Sequence, residues 1–159
     1  KRSLVKKTVG FILAVFFLLP ACDQQVDPLS ELAIPPDGQM LRACNDQKMW
    51  SAALLRESLV GEWRWYYTYN GFTPNAARNT LERNTVVTLN SDSTLQVMEA
   101  GETTYTTRWS VENVYEDLYG LETTSSTPFT LGHINLCDDL LEFDDSNIDG
   151  DNNFFVRTN

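Results

Sequence analysis

The polar and apolar positions of this chain change rhythm twice. Residues 9–19 (VGFILAVFFLL) are apolar without interruption. From Gly61 onward the dominant period is two, the period of a strand with one face buried. In Val60–Tyr69, Trp63, Trp65, Tyr67 and Tyr69 fall on one face, and Glu62, Arg64, Tyr66 and Thr68 on the other. In Thr103–Glu112, Tyr105, Thr107, Trp109 and Val111 share a face against Thr104, Thr106, Arg108 and Ser110. Weaker patterns predict strands at Thr85–Asn90, Thr94–Glu99, Val114–Leu121, Phe129–Leu136, Leu140–Asp144 and Phe154–Thr158. Turn-forming runs such as NSDS separate them. One helix is predicted, over Asn45–Ser58, with Asn45 or Asp46 as its cap. The order predicts an all-β fold: eight strands in up-and-down sequence, closed into a barrel and preceded by one short helix. A two-sheet sandwich with Greek-key connections is the structural alternative.

The first apolar run has its own meaning. Lys1, Arg2, Lys6 and Lys7 precede it, and it ends in Leu19-Pro20-Ala21-Cys22. Eleven residues are too few to cross a hydrocarbon core of about 30 Å, which takes about 20 in a helix. A charged start, a short apolar core and a small residue before the cut describe a secretory signal peptide. The Leu-Pro-Ala-Cys end resembles the lipobox of bacterial lipoproteins. That resemblance implies a lipid on Cys22, cleavage before it, and residence on a membrane of the bacterial cell envelope, inner or outer being left open. The chain then divides into a leader (1–21), a tether from Cys22 (22–43) containing Pro28, Pro35 and Pro36, and one domain (44–159).

Removing the leader changes the charge. Four of the 12 basic residues leave with it and none of the 22 acidic ones, so −10 becomes −14. A field of that sign repels nucleic acid and anionic lipid surfaces. Export also changes the reading of Cys44 and Cys137. In an oxidising compartment an even pair points to a disulfide, worth about 4.7 kcal/mol for a loop of about 100 residues on the chain-entropy argument. Two buried thiols or a metal pair are the other readings. With His133 as the only histidine, a zinc site would lack its usual ligands.

A second resemblance covers residues 59–158. Leu59-Val60-Gly61-Glu62-Trp63, the hairpin-like Asn84–Val97 (NTVVTLNSDSTLQV), Trp109-Ser110-Val111 and Phe155-Val156-Arg157 resemble the lipocalin and calycin families, and more closely the lipocalin-like domains of small bacterial lipoproteins. The resemblance implies that Gly61, Trp63 and Arg157 close the narrow end of a barrel, with the arginine across the indole face. It places function at the opposite mouth.

Candidate chemistry is sparse. Trp65, Tyr67, Tyr69, Tyr105 and Trp109 are candidate linings of an apolar pocket. They are equally able to fill an eight-stranded barrel. Asp145, Asn147, Asp149 and Asp151 match the first half of a calcium loop. Yet Val156 stands where a bidentate Glu belongs, and Asp149-Gly150 between alternating runs is also a hairpin signal. A plain turn is the first reading and a weak calcium site the second. No catalytic motif stands out, and no cofactor other than calcium is implied. The expected function is a monomeric, lipid-anchored envelope protein that binds a small apolar or amphipathic molecule in its barrel. The alternative is a filled barrel that serves as an accessory module for a protein or glycan partner.

Overall fold

The computed structural model describes residues 38–69, 77–78, 84–127, 129–148 and 150–158. The expected leader, Cys22 and the expected tether up to residue 37 lie outside them, as does Asp149. Nine strands form one antiparallel sheet: β1 (Gly61–Tyr69), β2 (Ala77–Arg78), β3 (Val86–Leu89), β4 (Thr94–Glu99), β5 (Glu102–Tyr115), β6 (Leu118–Thr123), β7 (His133–Cys137), β8 (Leu140–Asp144) and β9 (Asn152–Arg157). β9 returns to pair with β1, from Trp63↔Arg157 to Tyr69↔Asn152. Eight strands thus close an up-and-down barrel, as their alternation predicts. β2 is an addition on the edge of β1 beyond β3.

The inward positions form one apolar cluster that includes Trp63, Trp65, Leu95, Trp109, Leu136, Phe143 and Phe155. Two helices precede the barrel where one was predicted. α1 (Gly38–Asn45) occupies the end of the expected tether, and α2 (Ala52–Leu59) begins later than the periodicity suggests. The reason is local. The Asn45 side-chain oxygen accepts from Trp50 Nε1 (2.8 Å) and from the Leu136 N–H (3.0 Å), so it caps nothing. Ser51 caps α2 instead, its hydroxyl accepting from the Leu54 N–H at 3.2 Å. Leu55 and Leu59 of α2 then plug one end of the barrel.

β1 departs from strict alternation. Its register against β9 shifts between Trp65 and Tyr67. Trp65 pairs with the inward Phe155, but Tyr67 pairs with the outward Phe154, their rings 5.9 Å apart. Thr68 takes the inward place and donates to Asn153 Oδ1 at 2.7 Å. Tyr67 and Tyr69, expected inside, are therefore on the outer face.

The β6–β7 junction differs from the others. It carries one bridge, Gly120↔His133, among the described residues. Gly132 sits beside it at φ +95, and a Cβ there would strike the Asp144 carbonyl, so only glycine fits. Past the bridge, α1 and the connection to α2 supply partners: Asn45 to the Leu136 N–H, and the Trp50 carbonyl to the Tyr119 hydroxyl at 3.4 Å. α1 itself packs on the outer face of β7 and β8. The disulfide Cys44–Cys137 joins it to the barrel, with Cα atoms 5.9 Å apart.

Candidate functional site

The barrel interior was the expected site. Trp63, Trp65 and Trp109 are at most 2% exposed. Trp109 Nε1 donates to the Thr94 carbonyl at 3.1 Å, and Arg56 lies over its ring at 5.1 Å. It therefore belongs to the helix-plugged end rather than the mouth. At the other end the loop after β6 folds inward, and Phe129 packs on Trp65 with ring centroids 5.6 Å apart. Tyr105 stands half-buried near this loop. Its hydroxyl donates to the Ser125 carbonyl at 2.6 Å, and the Thr107 and Thr124 hydroxyls share a bond of 2.8 Å beside it. The five aromatics expected to line one pocket are thus divided. Trp65 and Trp109 are sealed in the core, Tyr105 is at the rim, and Tyr67 and Tyr69 are outside.

At the helix-plugged end, Gly61 has φ +147, and a Cβ there would lie 2.6 Å from Arg157 Nη1. The arginine uses the vacant space. Its guanidinium stacks 4.1 Å from the Trp63 ring centre and donates to the carbonyls of Val60 (3.0 Å) and Ser58. The indole Nε1 donates to the Leu59 carbonyl at 2.8 Å. One cation thus serves the carbonyls left free where α2 ends and covers an aromatic face.

A second concentration of polar groups lies outside the barrel wall, under α1. Alternation in β8 turns Leu141 and Phe143 inward, so Glu142 and Asp144 face out. They are nevertheless 0% and 3% exposed, because α1 covers them. Arg42 of α1 bridges both. Nε and Nη2 grip Glu142 at 3.1 and 2.7 Å, and Nη2 is 2.9 Å from Asp144 Oδ2. Asn135 and Asn152 donate to Glu142 at 2.9 and 3.3 Å. His133 Nε2 lies 3.3 Å from Asp144 Oδ2, and the Ser146 N–H donates to Oδ1 at 3.0 Å. Burial pushes the Asp144 carboxyl upward, but the bonds from His133 and Ser146 and the Arg42 charge prevail and hold it well below the usual carboxylate range. The Arg42 guanidinium is raised, first by its bond to Glu142. Buried charges need such partners, and here the partners fasten a helix to a sheet.

Of this cluster the sequence draws notice only to His133, as an isolated histidine, and does not point to Arg42, Asn135, Glu142, Asp144 or Asn152. The available signal was the spacing of Glu142 and Asp144 across Phe143, which puts both on one face. Nothing in the sequence says that a helix covers that face.

The Asp-rich segment is a tight turn built on Asp145. Its carbonyl accepts from the N–H groups of Ile148 (3.2 Å) and Gly150 (3.0 Å), around a 3-10 turn at Ser146–Ile148. The Asp145 carboxyl is raised by burial and by the charges of Asp144 and Asp151. Asn147 and Asp151 are exposed, and Asp149 is outside the described residues. No group of three or more His, Cys, Asp or Glu side chains arranged to hold a metal ion is found among the described residues. None of their helices is long and apolar enough to cross a membrane.

No protein-family model, curated protein or solved structure matches this chain closely enough to establish a relationship.

Proposed function

We propose that this protein is a lipid-anchored scaffold of the bacterial cell envelope. Its barrel is filled, and its outer surface serves as an accessory module for a protein partner. The observation that carries this reading is the sealed interior, where three tryptophans lie in one cluster at most 2% exposed. A side chain that lines a ligand cavity keeps a free surface toward it. These indoles are enclosed, as in a close-packed core. Leu55 and Leu59 at one end and Phe129 at the other support the same view. The envelope part rests on the leader and the sequence ending in Cys22. The Cys44–Cys137 bond supports it, because such bonds persist where the compartment is oxidising.

Native mass spectrometry of the exported protein tests the filled barrel. The expected result is the bare protein mass plus lipid. A second small molecule, released on gentle activation and lost when Trp65 is replaced, would restore the carrier reading. Radiolabelled palmitate incorporated by the wild type and not by Cys22→Ala tests the anchor.

A further inference from the structure

The hairpin of β5 and β6 presents an apolar face that the barrel does not use. β4 pairs with β5 as far as Arg108, and the Trp109 N–H still donates to the Ser93 carbonyl at 3.0 Å, so Ser110–Tyr115 is paired on one edge, to β6. A bulge between Asn113 and Tyr115 sets Val114 and Tyr115 side by side. Leu118 is the cross-strand partner of Tyr115, and Val114 Cγ1 reaches within 3.0 Å of the Cβ position of Gly120. The three side chains therefore share the outer face, at 57%, 66% and 36% exposure. The Asn113 side chain donates to the Glu116 carbonyl and ties the turn in place. An ordered hairpin that shows three large apolar groups to water marks an interaction site.

Charge says what covers it. Glu112, Glu116, Asp117 and Glu122 are exposed around the patch. From Trp109 to Val156 the chain has neither lysine nor arginine. The preceding cation, Arg108, donates to the Asp92 carbonyl at 2.8 Å. An anionic lipid surface, or a second copy offering the same face, meets like charge here. A segment that is both basic and apolar meets opposite charge at the rim and apolar contact at the centre.

We propose that the outer face of the β5–β6 hairpin, centred on Tyr115 and Leu118, docks a basic, apolar segment of a protein partner. This deepens the scaffold reading and rests on it.

The test uses the full chain in a nonionic detergent. The probes are two fluorescent peptides of equal length and leucine content, one with lysine and one with glutamate at every polar position, and protein-free micelles set the baseline. The lysine peptide should bind at least about tenfold more tightly than the glutamate peptide, and salt should weaken it. Tyr115→Ser with Leu118→Ser should cost about tenfold or more. Glu116→Gln with Asp117→Asn should weaken binding and flatten its salt dependence. Thermal melts check that both pairs of substitutions fold, and if the apolar pair does not, the charge pair decides. Equal binding of the two peptides, or unchanged affinity in the folded variants, overturns the proposal. So does binding of the Cys22→Ala protein to phosphatidylcholine vesicles that the apolar pair abolishes while peptide binding is absent, which would make the face a lipid contact. Concentration-dependent dimerisation abolished by the apolar pair would make it a contact between copies and overturn it too. These readouts are independent of the small-molecule mass that decides the filled barrel, so the two readings fail separately.

Discussion

Arg157 joins three things that the chain keeps apart: the end of α2, the Trp63 ring and the last strand. Arg157→Ala should cost about 2–4 kcal/mol, from the cation–π contact and the charge-assisted bonds to two carbonyls. Arg157→Lys should recover less than half of that loss, since an ammonium has no planar fork. Urea melts of the two variants decide. Gly61→Ala should cost about 1–3 kcal/mol through its backbone angle, before the collision with Arg157 is counted. Asp144 carries the pH dependence. Its folded carboxyl is held low, so its contribution is complete above the ordinary carboxylate range, about pH 4, and drains away as pH falls below it. Asp144→Asn should therefore cost about 1–3 kcal/mol at neutral pH, with the gap to wild type narrowing between about pH 4 and pH 2. Asp145 has the opposite sign. Its raised carboxyl makes ionisation a penalty that sets in as pH rises through the carboxylate range. As a plain turn it predicts that millimolar calcium adds less than about 0.4 kcal/mol, measurable as a melting-temperature difference against magnesium.

At the scale of elements, α1 is the piece whose attachment can be tested directly. Cys44→Ser with Cys137→Ser should cost about 2–4 kcal/mol. It should also speed hydrogen exchange in α1 and at Leu136 while β1 stays protected. The same helix shows why part of the structure was illegible in the sequence. The strands were readable because one face of each is buried, and burial writes period two into the residues, as in Tyr105, Thr107, Trp109 and Val111. α1 has no such mark. It is eight residues long, begins at Gly38 just after a proline pair, and buries only Leu41. Its hold on the barrel is the pair of Arg42 ion contacts, the Asn45 bond to Leu136 and a disulfide, which leave no periodic trace. With α1 hidden, Glu142 and Asp144 read as ordinary solvated positions. The bulge in β1 is hidden in another way. No glycine or turn residue marks it, so alternation carried Tyr67 and Tyr69 to the wrong face. The disulfide pairing and the barrel closure were legible, because setting Cys22 aside leaves two of the three cysteines and one possible bond, and strand count sets the curvature.

For the whole molecule, the single apolar cluster predicts one cooperative transition by near-UV and far-UV dichroism alike. Trp109→Ala should cost about 3–5 kcal/mol, as for any large core side chain. The broader consequence comes from the single bridge between β6 and β7. A hoop is as strong as its weakest joint, and here the joint is completed by Asn45 and Trp50, which belong to neither strand. The helical segment in front of the barrel is therefore a clasp. Undoing it would convert a closed cylinder into an open sheet with two bare margins, each ready to stitch itself to another chain. On this view the Cys44–Cys137 bond protects solubility more than it protects the fold, and its loss would be seen first as aggregation.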